Sequence, residues 1–183
     1  MTTEGTDVVE LLEEQHAQIR HLFDEVANTR GEERKQNFHD LVRLLAVHET
    51  AEEEVVHPFA RRHIDGGEQV VADRIEEEER AKKVLSDLDD MDPDAPEFLD
   101  RFAALRQDVL AHAENEERYE FAHFRRVADR DRLQALARAV RAAEALAPTR
   151  PHPGTDTALK NAVVGPVAAV IDRTRDVVRR AMD

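Results

Sequence analysis

Apolar positions recur along the chain with a helical period that breaks at a few places rich in Gly, Pro or Asp. Asp7, followed three residues on by Glu10, marks a helix start, and Val9, Leu12, Ile19, Phe23 and Val26 then trace one face of a first helix over about 7–29. Beyond the Arg30–Gly31 turn, Phe38, Leu41, Leu45, Val55 and Phe59 carry a second helix to about residue 63, with Pro58 placed to kink it. Gly66–Gly67 breaks the pattern, and Val71, Ile75, Leu85 and Leu88 define a third helix that stops at Met91-Asp92-Pro93-Asp94. Pro96 suits a first helical turn; Phe98, Phe102, Leu105, Val109, Tyr119 and His123 form the seam of a fourth helix. Asp129 caps a short fifth segment rich in Ala, Leu and Arg. Four main helices with short links predict an all-α protein, an up-down-up-down four-helix bundle with extra helices on its C-terminal side.

The expected organisation is a bundle with its fifth helix over 1–147, a Pro-rich linker over 148–156 (PTRPHPGTD) and an amphipathic helix over 157–183. Val167, Val170, Ile171, Val177 and Val178 give that last helix an apolar side. It either caps the bundle or buries this side against a second copy of the chain in a homodimer, and the oligomeric state stays open.

Composition sharpens the picture. Charged residues make up 36% of 183 positions and the formal net charge is −14, a field that repels phosphates and anionic lipid and excludes nucleic acid and membrane as expected partners. Without an apolar run of spanning length or a basic-then-apolar leader, the expected location is the cytoplasm. The chain has no cysteine, so thiolate zinc sites, iron–sulfur clusters and cysteine nucleophiles are excluded, and any metal must be held by His and carboxylate.

Polar residues standing at apolar positions of the helical period carry the functional information, because burial without a partner is costly. His16 takes a core position in the first helix, His48 and Glu52 take two in the second, and His112 and Glu116 repeat that pair in the fourth. Residues four apart project from one helical face, so an imidazole nitrogen and a carboxylate oxygen of each pair reach the same cation or two neighbouring ones. The third helix places Glu78 in the slot that His16 has in the first: Ala81, Val84, Leu85 and Leu88 follow it as Ile19, Leu22, Phe23 and Val26 follow His16. A pseudo-twofold bundle brings His16, His48, Glu52, Glu78, His112 and Glu116 together as ligands of a dinuclear metal site. The runs Glu52-Glu53-Glu54 and Glu76 to Glu79 are otherwise solvated faces, with Glu79 the competitor for the role of Glu78. His21, His39, His57 and His63 are read as surface residues, His152 lies in the linker, and His123 is assigned to the layer around the site or to core packing. Tyr119, one turn from Glu116, is expected inside, either donating a hydrogen bond beside the metals or simply packing.

Three segments, HAQIRHLF at His16, HETAEEEVVHPF at His48 and HAENEERYEF at His112, resemble the hemerythrin-like family of HHE cation-binding domains over roughly residues 7–127. The resemblance implies a four-helix bundle with a carboxylate-bridged, oxygen-binding di-iron site, in proteins that bind or sense oxygen, sense iron or break down peroxide. On that basis two iron ions are the expected cofactors, with manganese or zinc as alternatives, and oxygen or hydrogen peroxide the expected partner. His16, His48 and His112 would be terminal ligands, Glu52 and Glu116 bridges, and Glu78 a terminal or chelating carboxylate. Where the family usually has a His in the third helix, this chain has Glu78. An anionic oxygen in place of a neutral imidazole favours the higher oxidation state and weighs against reversible oxygen carriage. The expected function is therefore redox chemistry on oxygen or peroxide, as a peroxidase-, catalase- or oxidase-like activity, with a non-catalytic oxygen or iron sensor or metal-binding protein as the alternative.

Overall fold

A computed structural model describes residues 5–147; the linker over 148–156 and the amphipathic segment over 157–183 lie outside the described residues. Seven α-helices follow one another among the described residues: α1 (Val8–Asn28), α2 (Gly31–Ala51), α3 (His57–His63), α4 (Gly67–Asp89), α5 (Phe98–Asn115), α6 (Ala122–Val127) and α7 (Arg130–Glu144). Short π-helical stretches, Glu52–Val56 and Glu116–Phe121, join α2 to α3 and α5 to α6. The second and fourth rods of the bundle are thus continuous helices with a wide turn inside each. No helix among the described residues is long and apolar enough to cross a membrane.

Local chemistry sets the ends of these elements. Asp7 and Glu10 form a reciprocal capping box, Glu10 N–H donating to Asp7 Oδ1 (2.9 Å) and Asp7 N–H to Glu10 Oε2 (3.0 Å). Asp129 Oδ1 accepts from the backbone N–H of Arg132 at the start of α7. Pro96 was expected inside the first turn of the fourth helix, but that helix begins at Phe98 and Pro96 lies in the preceding turn, where Phe98 N–H closes onto Ala95 O.

The corner between α3 and α4 depends on glycine twice. Gly66 has φ 72°, in the left-handed region that favours glycine. A Cβ on Gly67 would run into the carbonyl oxygen of Ala60 and stand 2.9 Å from Arg61 Cα, both backbone atoms that cannot move aside alone. Gly67→Ala is therefore expected to cost about 1–3 kcal/mol, as overpacking does, and to lower the midpoint of thermal unfolding; an unchanged midpoint would show that the helices separate freely at this corner.

Two apolar clusters fill the bundle, one at each end. Phe23, Phe38, Phe98 and Phe102 lie in one, together with Leu41, Leu85, Leu88 and Leu105. Val9, Leu12, Val55, Phe59, Phe121 and Phe124 lie in the other, closed by Leu133, Leu136 and Val140 of α7. His16, His48, Glu52, Glu78 and Glu116 are buried as well, and they belong to neither cluster. They form a polar layer across the middle of the bundle, held dry on both sides.

Candidate metal centre

Each rod delivers its polar side chains to the same level. His48 closes α2 and Glu52 opens the first π-helical stretch; His112 and Glu116 repeat this at the end of α5 and the start of the second. His48 Nε2 stands 3.0 Å from Glu52 Oε1, and His112 Nε2 stands 3.9 Å from the other oxygen of Glu52. Glu116 Oε2 is 3.4 Å from His16 Nε2 and 3.5 Å from His112 Nε2. Ligand-type atoms of His16, His48, Glu52 and Glu116 lie within 4.8 Å of one another, and those of Glu52, Glu78 and His112 do the same. Glu52 belongs to both groups, with its two oxygens facing different imidazoles, which is the placement of a carboxylate bridge.

The outer nitrogens of the three imidazoles are engaged elsewhere. His16 Nδ1 donates to Glu117 Oε1 (2.8 Å), which Arg20 also holds; His48 Nδ1 donates to Gln15 Oε1 (2.7 Å); His112 Nδ1 donates to Glu77 Oε2 (3.0 Å), which Arg74 also holds. Gln15 is itself oriented, because its amide nitrogen donates to Glu144 of α7 and leaves the oxygen for His48. With Nδ1 carrying the proton, each Nε2 lone pair is aimed inward, as a metal-binding imidazole requires. On the inner side, His16 Nε2, His112 Nε2, Glu78 Oε2 and both oxygens of Glu52 and of Glu116 are buried without a hydrogen-bond partner. Each such atom costs about 1–3 kcal/mol, more when charged, and a cation in their midst removes the penalty.

Without a cation, protons take its place. Burial alone would lower the His48 pKa, but the facing Glu52 and Glu116 push it up to about 9, and His112 is raised well above the usual imidazole value against burial by Glu116 and Glu52. Burial acts to raise Glu52, yet the His48 and His112 charges hold it well below the ordinary carboxylate value. Burial and the Glu78 charge push Glu49 up to about 8. His48 in the metal-free fold thus contributes stability that is complete below its unfolded value and is lost as pH rises through about 9, while the penalty on Glu49 grows as pH rises toward about 8. Metal-free protein is accordingly expected to lose stability between roughly pH 6 and 9. A divalent cation must displace these protons, so its apparent affinity should rise over the same interval by about tenfold per unit for each proton displaced; a flat profile in a competition titration would show that the imidazoles are not ligands.

Of the residues expected inside, Tyr119 is not there. It is 55% exposed and its side chain leaves the site entirely. The cause is the second π-helical stretch: its extra residue moves the inward position one place along, from Tyr119 to Glu120, which is fully buried. Glu120 is raised to about 8 by burial and by Glu116, and Arg74 reaches it at 3.2 Å. His123, assigned to the inner layers, is only partly buried and turns back to the backbone carbonyl of Tyr119. His57, read as a surface residue, is 1% exposed and bonds Glu78 through Nε2 at 2.7 Å; the first π-helical stretch turns it inward. Glu78 rather than Glu79 joins the cluster, since Glu79 turns to Lys82.

A curated relative from Nostoc sp., described as a DNA nickase, is 28% identical over 148 residues, 78% of this chain. The chain spans 42% of that relative's own length. A solved structure of a hemerythrin HHE cation binding domain-containing protein from Mycobacterium kansasii superposes with a TM-score of 0.67 at 22% identity, over 76% of this chain and 86% of that one. It shares the fold. The hemerythrin HHE cation binding domain matches residues 7–124, from the capping box of α1 to within α6, and takes in His16, His48, Glu52, Glu78, His112 and Glu116. The chain belongs to the family of hemerythrin HHE cation-binding domains.

Proposed function

We propose that the chain is a non-haem di-iron protein that reacts with oxygen or hydrogen peroxide. His16, His48 and His112 would hold the ions as terminal ligands, with Glu52 and Glu116 as the shared carboxylates and Glu78 as a further carboxylate. The observation that carries this reading is the orientation of the three imidazoles, each tethered at Nδ1 and aimed at unpartnered carboxylate oxygens through Nε2. A set of imidazole nitrogens and carboxylate oxygens without sulfur fits iron. Iron held there would supply one-electron steps between its ferrous and ferric states.

Substrate size supports small oxygen species. Beside the polar layer lies a cavity of about 20 Å³, walled by Ile19, Leu45, Ala81, Val109 and Ala113 together with His16, His48 and His112. That is room for roughly one water-sized or diatomic molecule. Glu49 lines the same cavity beside the three imidazoles, a carboxyl that would exchange a proton with a small oxygen species held there. Three buried carboxylates in the polar layer favour the ferric state and hence turnover over reversible carriage. The activity named for the Nostoc relative belongs to a much longer chain, and the net charge of −14 opposes approach to DNA.

Iron-loaded protein is expected to consume hydrogen peroxide and, in the ferrous form, to change its near-ultraviolet absorption on exposure to oxygen. A spectral change with oxygen and no peroxide consumption would make the protein a sensor. Absence of both responses would overturn the reading.

A further inference from the structure

The two halves of the bundle are related by a repeat: the step that takes His48 to His112 and Glu52 to Glu116 also takes His57 to Phe121. In the preceding helix of each half, at a spacing two residues shorter, α4 offers Glu78 where α1 offers His16. Each of these two residues rests on one of the other pair. His16 stacks on Phe121, ring centroids 5.7 Å apart and planes at 17°, whereas Glu78 Oε1 accepts from His57 Nε2 at 2.7 Å. Both members have therefore been exchanged together, imidazole on phenyl in one half and carboxylate on imidazole in the other. A phenyl ring at position 57 would leave Glu78 buried with neither oxygen bonded.

The bond also fixes how Glu78 presents itself. Oε1 is occupied by His57, Oε2 is left buried without a hydrogen-bond partner, and the carboxylate belongs to the group formed with Glu52 and His112. A carboxylate with both oxygens free would chelate one ion or bridge two; with one oxygen tied it offers a single donor atom. We propose that His57 is a positioning residue that makes Glu78 a one-oxygen ligand, and that the pair renders the two metal positions unequal. One position is built on His16 and His48; the other is built on His112 and Glu78. This inference rests on the dinuclear reading of the polar layer.

The test is a titration with cobalt(II), followed by chelator competition and by the visible d–d bands, which report the donor set. Wild type is expected to take two ions per chain. His57→Phe should retain the first position and lose about 10–100-fold in affinity at the second, the usual effect of removing a partner one layer out. His57→Gln, which keeps a donor near the place of Nε2, should recover most of that loss. The double variant His57→Phe/Glu78→His reproduces the arrangement of the other half and should bind two ions with altered d–d bands, and it carries the comparison should His57→Phe alone fail to fold. If His57→Phe binds both ions with wild-type affinity and bands, or the double variant binds only one, the positioning role is overturned and the dinuclear reading stands. If wild type binds fewer than two ions, the dinuclear reading falls, and the proposal with it.

Discussion

Glu52→Gln is expected to reduce metal uptake from two ions per chain to at most one, with the loss in affinity at the remaining position exceeding about two orders of magnitude. Removing an outer hydrogen-bond partner typically costs 10–100-fold, and a bridging oxygen should cost more. Glu52 is fully buried, belongs to both groups of candidate ligands, and turns one oxygen toward His48 and the other toward His112. The substitution keeps the volume and removes the anion. In metal-free protein it also takes away the charge that raises the His48 pKa, so that imidazole should return toward its ordinary value, readable by NMR titration. The fold should survive, because a neutral His48 still donates Nδ1–H to Gln15. Two ions bound by Glu52→Gln with wild-type affinity would mean that the bridge lies elsewhere.

Metal loading should raise the unfolding midpoint strongly. An ion that binds only the folded chain stabilises it by about 4 kcal/mol when present at a thousandfold excess over its dissociation constant. For a chain of this length, 1 kcal/mol moves the midpoint by roughly 2–4 °C, so each ion should add on the order of 10 °C. The unpartnered atoms of His16, Glu52, Glu78, His112 and Glu116 make the metal-free layer a weak point in an otherwise dry bundle. Calorimetry before and after chelation reads the difference directly. A midpoint indifferent to metal would place the ions on the acidic surface instead.

Much of this arrangement was legible in the sequence because helices enforce it. The apolar period located every rod, and a His or Glu breaking that period at positions 16, 48, 52, 78, 112 and 116 marked the polar layer. The repeat relating His16 to Glu78 is equally a property of spacing. What stayed hidden has one main physical cause. A period of 3.6 residues assumes an unbroken α-helix, and both rods widen into π-helical turns at the glutamates themselves. Past each widening the inward face slips by about one position, so the expected Tyr119 turns to solvent while Glu120, Phe121 and His57 turn in. Pro58, lacking the N–H that would close an α-turn onto Glu54, hinted at an irregularity in the second rod. The fourth rod has Ala122 at the matching position, so proline is not what the two widenings share. Both share a buried glutamate at their start.

The tethers of the imidazoles were hidden for another reason. Glu77 and Glu117 sit within charged runs that look like solvated faces, and Gln15 is one polar residue among several on α1. Their role appears only when three different helices are brought within hydrogen-bond distance of His112, His16 and His48. Burial acts to raise Glu77, but the bond from His112 and the Arg74 charge pull it below its usual value, so it stays an anion that fixes the ring. No local pattern encodes that.

Elemental analysis of protein purified from iron-supplemented cells tests the central claim most directly. The six candidate ligands of the polar layer predict close to two irons per chain, retained through gel filtration and lost with the Glu52 and Glu116 carboxylates. A content near zero, or a single iron unaffected by replacing Glu78, would contradict it.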